Sequence, residues 1–170
     1  MNKWTYITND DNSARYTLGK LGERVVFVIG INPSTARPDD LDRTVSRVES
    51  FAANNGYDGW VMLNVYPQRA TDPNDIHGQV EESIHNENIE LIGQLAGELS
   101  SFDVWAAWGD LITTRPFLIN CLRDVANAIG TNRNWLHLHS LTNNNNPRHP
   151  LYLRSDAAFS EFDIEGYIRE

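Results

Sequence analysis

The sequence predicts an α/β fold, a three-layer sandwich with a central, mainly parallel four-stranded sheet and an N-terminal edge hairpin. Three observations carry this expectation. Apolar runs of strand length alternate with longer stretches of helical periodicity, the pattern of βαβ units. The runs are nearly unbroken, as in strands buried on both faces. Each run then stops in a cluster of polar and turn-forming residues. With 170 residues, 41% apolar and 22% charged, the chain has the size and composition of a single globular domain over 1–170. That length buries roughly two thirds of the unfolded surface, enough for a real core.

The elements follow in order. Residues 3–8 and 14–18 read as short strands around Asp-Asp-Asn-Ser, an edge hairpin. Residues 24–29 form the first buried strand, and a loop follows to about residue 41. Asp42 then caps a helix of about 43–55 with Val45, Val48, Phe51 and Ala52 on one side, and Gly56 ends it. Residues 59–65 are the second buried strand, and a loop rich in Pro and Asp covers 66–80. A helix of about 81–99 buries Ile84, Ile89, Ile92, Leu95 and Leu99. Residues 102–108 make the third strand, about 112–129 a helix ended by Gly130, and 135–139 the fourth strand. Asn143 to Asn146 form a polar loop, and a short helix near 163–169 closes the chain. Crossovers between parallel strands are expected to be right-handed.

The totals exclude some classes. The single cysteine, Cys121, rules out an internal disulfide framework. It fits a reducing compartment and an apolar helix face. No apolar run approaches the ~20 residues of a membrane span, and MNKWTYITNDD lacks a signal-peptide core. A cytoplasmic protein with no membrane partner is the expectation. The formal net charge of −9 opposes tight nonspecific binding to nucleic acid. Of 14 basic residues, 12 are Arg, the side chain suited to bidentate anion contacts. Arg37, Arg69, Arg115, Arg148 and Arg154 fall in or beside strand-end loops, and Arg43 and Arg47 share a helix face. A set of surface arginines paired with the many acids explains the same count.

In an open parallel sheet, ligands bind in the crevice outside the strands' carboxyl ends. Four loops far apart in sequence are therefore expected to converge. Gly30-Ile31-Asn32-Pro33-Ser34-Thr35 is a stiff loop, since Pro33 fixes its own φ and biases Asn32 toward extended geometry. It presents Asn32, Ser34 and Thr35, groups able to hold a water or an anion; a plain Asn-Pro turn is the structural reading. Asn64 ends the second strand and offers a donor and an acceptor to a planar polar edge. Tyr66, Arg69 and Thr71 follow it. Trp108-Gly109-Asp110 ends the third strand, where Asp110 suits a helix cap. His149-Pro150-Leu151-Tyr152, beside Arg148 and Arg154, is a rigid histidine able to donate to developing negative charge. His137 and His139 alternate on a strand, a weak zinc pattern, and Asp39, Asp40 and Asp42 suit either a cation or a helix N-terminus. The sequence contains no P-loop, no G-x-G-x-x-G and no G-x-S-x-G. No metal or cofactor is called for.

Four of these pieces, in this order, resemble the uracil-DNA glycosylase superfamily: Gly30-Ile31-Asn32-Pro33, Leu63-Asn64, Trp108-Gly109 and His149-Pro150. The resemblance implies a uracil-DNA-glycosylase-like sheet and N-glycosidic bond hydrolysis. It implies Asn32 as the residue positioning water, Asn64 as the reader of the base edge and His149 as the stabiliser of charge on the departing base. Gly30, Ser34, Thr35, Asn64, Tyr66, Arg69, Trp108, Arg148 and Tyr152 are the substrate-binding candidates, and Leu151 or Tyr152 would fill the gap of a flipped nucleotide. Two departures stand out: no Phe or Tyr follows Pro33, and the His-Pro-Ser-Pro form is absent. Asn32-Pro33-Ser34-Thr35-Ala36, Arg69-Ala70-Thr71-Asp72-Pro73, Ala107-Trp108-Gly109 and His149-Pro150-Leu151-Tyr152 more closely resemble a bacterial and phage family, domain of unknown function 1643. The acidity of the chain favours a small nucleobase-containing ligand or a short single strand over duplex DNA. A non-catalytic module that binds a nucleotide or modified base is the alternative to an enzyme.

Overall fold

The structure, a computed structural model, describes residues 3–169. Seven strands form one open mixed sheet in the order β1-β2-β4-β3-β5-β6-β7. Their ranges are β1 (Lys3–Thr8), β2 (Arg15–Leu21), β3 (Val25–Gly30), β4 (Gly59–Asn64), β5 (Asp103–Ala106), β6 (Asn134–Leu138) and β7 (Phe159–Glu161). β4, β3, β5 and β6 run parallel to one another. They are the four apolar runs of the sequence. The sheet is nevertheless larger and more mixed than expected. β2 joins it antiparallel to β4, and β7 joins antiparallel to β6. The N-terminal hairpin is thus part of the main sheet, with β1 at the edge.

Helices cover both faces. α1 (Arg43–Asn54) buries Val45, Val48, Phe51 and Ala52 against Val26, Val28, Trp60, Met62 and Trp105. Burying a Val- or Phe-sized side chain is worth roughly 1.5–3 kcal/mol, so this face alone anchors the helix. Asp42 caps it by accepting from the Val45 N–H at 2.9 Å, and Gly56 follows with φ 84°. On the other face lie α2 (Glu82–Glu98), α3 (Leu118–Ile129) and α4 (Ile164–Arg169), packed on Phe27, Ile29, Val61, Leu63, Val104 and Ala106. Ile89 and Leu99 are half-buried flanks of that layer, and Cys121 is buried in α3.

The helix expected over 112–129 is split. A 3₁₀ turn spans Gly109–Thr113, and α3 begins only at Leu118. Pro116 explains the break, because it lacks an N–H and disfavours helical geometry at Arg115. Among the described residues, no helix is long and apolar enough to cross a membrane.

The connectivity creates a switch point. β3 leads through α1, on one face, to β4. Its other neighbour, β5, leads through α3, on the opposite face, to β6. The two loops diverge and leave a crevice at the carboxyl ends of the strands.

Candidate functional site

A cavity of about 390 Å³ occupies that crevice, within the size range of ligand pockets. Residues from the ends of β3, β4 and β5 line it, together with the late His149–Tyr152 segment. The loops are tied to one another by backbone bonds. Val65 N–H donates to Gly30 O at 2.8 Å, Tyr66 N–H to Ile31 O at 2.9 Å and Ala70 N–H to Pro33 O at 2.9 Å. Gly109 N–H donates to Pro147 O at 2.9 Å, which brings the segment before His149 onto the end of β5. Asp110 secures it by accepting from Thr142 Oγ1 at 2.7 Å and Asn146 Nδ2 at 2.8 Å. Those bonds, that from Asn146 first, hold the Asp110 carboxyl below its ordinary range. Asp110 therefore clasps a loop instead of capping α3.

Asn64 is the most unusual residue of the cavity. It is 1% exposed, yet neither Oδ1 nor Nδ2 has a hydrogen-bond partner. A buried polar group without a partner costs about 1–3 kcal/mol, and such atoms are rare in folded proteins. The backbone around it is fixed, since Asn64 O accepts from Asn88 Nδ2 at 3.1 Å. Gly30 stands opposite Asn64 in register. A Cβ at Gly30 would lie 3.2 Å from Asn64 Oδ1 and 2.7 Å from Met62 Cε, so glycine leaves the amide its room.

Asn32 is held differently. Its Nδ2 donates to Pro33 O at 3.0 Å, Gln68 O at 3.2 Å and Ala70 O at 2.9 Å. Three carbonyls on one nitrogen fix the amide's orientation, leaving Oδ1 as the acceptor of a residue that lines the cavity. His149 is half-buried, and its Nδ1 accepts from Leu151 N–H at 3.2 Å. That bond places the ring proton on Nε2. Burial holds the imidazole below its ordinary pKa of 6.5, with Asp42 pulling weakly the other way. At neutral pH His149 is thus an uncharged N–H donor.

The remaining candidates divide. Gly30, Ser34 and Tyr152 line the cavity with Asn32, Asn64 and His149. Ser34 Oγ bonds Thr71 Oγ1 at 2.8 Å. Tyr152 stands at the rim, 86% exposed with φ 69° and with the Arg43 guanidinium 5.7 Å from its ring centre. Thr35 is exposed and outside the cavity lining. Tyr66 and Trp108 are fully buried core residues. The Tyr66 hydroxyl bonds His77 Nδ1 at 2.6 Å and accepts from Glu81 N–H at 3.0 Å, and Trp108 Nε1 donates to Tyr167 Oη at 3.1 Å. Arg69 supports the loop through Ser34 O and Tyr6 Oη. Arg148 donates to Ser140 O at 2.9 Å and lines neighbouring hollows instead.

Other arginines flagged by their position are also engaged. Arg37 pairs with Asp40 and Arg154 with Asp156, while Arg115 donates to the carbonyls of Asn74, Ile76, His77 and Thr114. His139 leaves β6 with φ 63°, so it does not stand beside His137. Asp39, Asp40 and Asp42 do not converge on one point, since Asp40 pairs with Arg37 and Asp42 caps α1.

Of the charged lining residues, Arg15 was not among the site candidates, and Asp42 was expected only as a helix cap or cation ligand. Arg15 opens a strand, whereas the ligand crevice of a parallel sheet is expected at strand carboxyl ends. β2 is antiparallel to β4, so its first residue lies at that same edge. A larger hollow of about 520 Å³ lies between Ile112, Arg115, Pro116 and Tyr167. Arg115 there is already saturated by carbonyls, so the strand-end cavity, with its unpaired amide, is the better ligand site.

Fold and site together define an open α/β protein with a cavity at the carboxyl edge of its sheet, largely apolar but holding a few polar side chains. The chain belongs to the family of proteins of unknown function DUF1643, whose model matches residues 15–151. That segment contains every lining residue except Tyr152. No curated protein and no solved structure matches the chain.

Proposed function

We propose that this protein hydrolyses the N-glycosidic bond of a nucleobase-containing substrate. The observation that carries the proposal is the Asn64 amide, buried and with neither its donor nor its acceptor paired, on a residue that lines the cavity. A flat ring carrying a carbonyl beside an N–H satisfies both atoms at once. In this reading Asn32 Oδ1 accepts a hydrogen bond from the attacking water and aims its oxygen at the sugar's anomeric carbon. The carbon–nitrogen bond breaks and its electron pair leaves with the base. The water oxygen bonds the anomeric carbon, and the proton it loses passes to the departing base. His149 Nε2–H donates to the base oxygen on which negative charge builds, a contact strongest in the transition state. The order of the Gly30–Pro33, Leu63-Asn64, Trp108-Gly109 and His149-Pro150 motifs, which resembles the uracil-DNA glycosylase superfamily, supports the same assignment.

The second reading is a module that binds a nucleotide or modified base without turnover. It is favoured by the state of Asp42, the one carboxylate lining the cavity among the described residues, whose Oδ1 is committed to the Val45 N–H.

The test is a panel of nucleosides, nucleotides and short single strands at stoichiometric protein, with free base measured chromatographically. Hydrolysis predicts release from at least one substrate, lost in Asn32→Ala and His149→Gln variants that still unfold cooperatively. A thermal shift without release establishes the binding module. A panel with neither response refutes both readings.

A further inference from the structure

Arg15 is 1% exposed, and its Nε is buried without a partner. Among the described residues the guanidinium makes one hydrogen bond, from Nη1 to Ala36 O at 3.1 Å. No carboxylate stands within ion-pair distance of it among the described residues. Buried charges in folded proteins are normally paired, because removing one from water unpaired is very costly. A second cation makes the situation worse. Arg69 Nη1 donates to the same Ala36 carbonyl at 3.3 Å, so two guanidinium groups crowd one acceptor. Burial first, and Arg69 next, lower the Arg15 pKa to about 10, with Asp42 only partly offsetting them.

Arg15 lines the cavity that holds Asn64. So do the N-cap Asp42 and, from the first turn of the twelve-residue helix α1, Thr44 and Val45; such an N-terminus favours negative charge. Arg15 at the cavity wall, Arg69 behind it and the helix N-terminus outweigh the one capping carboxylate, Asp42. This contrasts with a chain whose formal charge is −9.

We propose that Arg15, backed by Arg69 and the N-terminus of α1, is an anion subsite that takes the phosphate of a nucleoside monophosphate whose base stands against Asn64. The assignment to a nucleotide rests on the base-reading role of Asn64; the anion subsite itself does not. A compact monoanion or dianion fits a closed, largely buried cation. A polymer backbone would have to approach a chain whose formal charge is −9.

The experiment compares the wild-type chain with Arg15→Met and Arg15→Lys, using thermal shift and calorimetric titration. The probes are inorganic phosphate against equal ionic strength of chloride, a set of nucleosides, their 5′-monophosphates and a short oligonucleotide without a terminal phosphate. Phosphate is expected to raise the wild-type Tm and leave Arg15→Met unmoved. Without phosphate, Arg15→Met should melt at or above the wild-type temperature, because it removes an unpaired buried charge. A nucleoside monophosphate should bind the wild type roughly 10- to 100-fold more tightly than its nucleoside, the worth of a charge-assisted hydrogen bond. Arg15→Lys should keep the fold and lose most of that preference, since a lysine cannot offer the planar fork.

A phosphate response equal in wild type and Arg15→Met overturns the subsite, as does no response at all. A phosphate response lost in Arg15→Met, with no binding of any nucleoside, keeps the anion subsite and overturns the base reading alone. Tighter binding of the unphosphorylated oligonucleotide than of any monophosphate overturns the assignment to a mononucleotide. Should Arg15→Met fail to fold, competition between inorganic phosphate and the monophosphate on the wild type decides: displacement supports the subsite and its absence refutes it.

Discussion

Replacing Asn64 with leucine separates a ligand-reading amide from a structural one. Leucine has the same forked outline as asparagine and no polar atoms. Two unpaired buried atoms disappear with the change, each of a kind that costs about 1–3 kcal/mol when left without a partner. Part of this is recovered in any cavity wall that water can reach, so the net gain is set at about 1–2 kcal/mol. For a domain of this size each kcal/mol moves Tm by roughly 2–4 °C, and Asn64→Leu is expected to melt roughly 2–8 °C above the wild type. Under the proposed function the same change removes both hydrogen bonds to the base and leaves its polar edge facing a methyl fork. Nucleobase affinity or base release should fall roughly 100-fold or more. The assay is paired: thermal and urea unfolding for stability, calorimetry or single-turnover release for function. A variant that melts several degrees lower, with unchanged ligand response, refutes the argument and makes the Asn64 amide a structural element.

Three further outcomes follow from the same geometry. Gly30→Ala places a methyl 2.7 Å from Met62 Cε and 3.2 Å from Asn64 Oδ1; the flexible methionine end yields, so Tm should drop by only a few degrees while ligand binding falls at least tenfold, as titration would record. Asn32→Asp sets a carboxylate oxygen against the carbonyls of Pro33, Gln68 and Ala70, which now accept from Nδ2, so it should destabilise by about 2–4 kcal/mol and more than Asn32→Ala, measured by urea unfolding. For His149, burial lowers the folded-state pKa below 6.5, so the unfolded chain binds the proton more readily. The stability this contributes is complete above 6.5 and is lost as pH falls from there through the lowered folded value. His137 is lowered by burial in the same direction, so the His149 share is the difference between wild type and His149→Gln in Tm against pH from 8 to 4.5.

Much of the parallel core was legible because strands buried on both faces need continuous apolar runs. Val25–Gly30 and Gly59–Asn64 are such runs, and both are buried throughout. Asp42 and Gly56 bracketed α1 for reasons of capping chemistry that act locally. What failed to show depends on distant partners. β7 is three residues, Phe-Ser-Glu, with two of them exposed, and it exists only because β6 offers an edge. The convergence of Asn32, Asn64 and His149 followed from topology, but which neighbouring side chains turn inward did not. Tyr66 and Trp108 sit beside strand ends and carry polar tips, yet His77, Glu81 and Tyr167 satisfy those tips inside the core. Arg15 was invisible for the opposite reason. It opens an antiparallel strand, and only the pairing of β2 with β4 puts that end at the cavity.

Central to the proposed function is a pocket, built by the strand ends around Asn64, for a planar hydrogen-bonding ring. The most direct test is to follow the side-chain amide resonances of Asn64 and Asn32 by NMR while nucleosides and nucleotides are titrated in. The Asn64 Nδ2 signals are expected to shift and saturate, together with those of Asn32 and the His149 ring. Shifts confined to the hollow around Ile112, Thr113 and Tyr167, with the Asn64 amide unmoved at saturation, would contradict it.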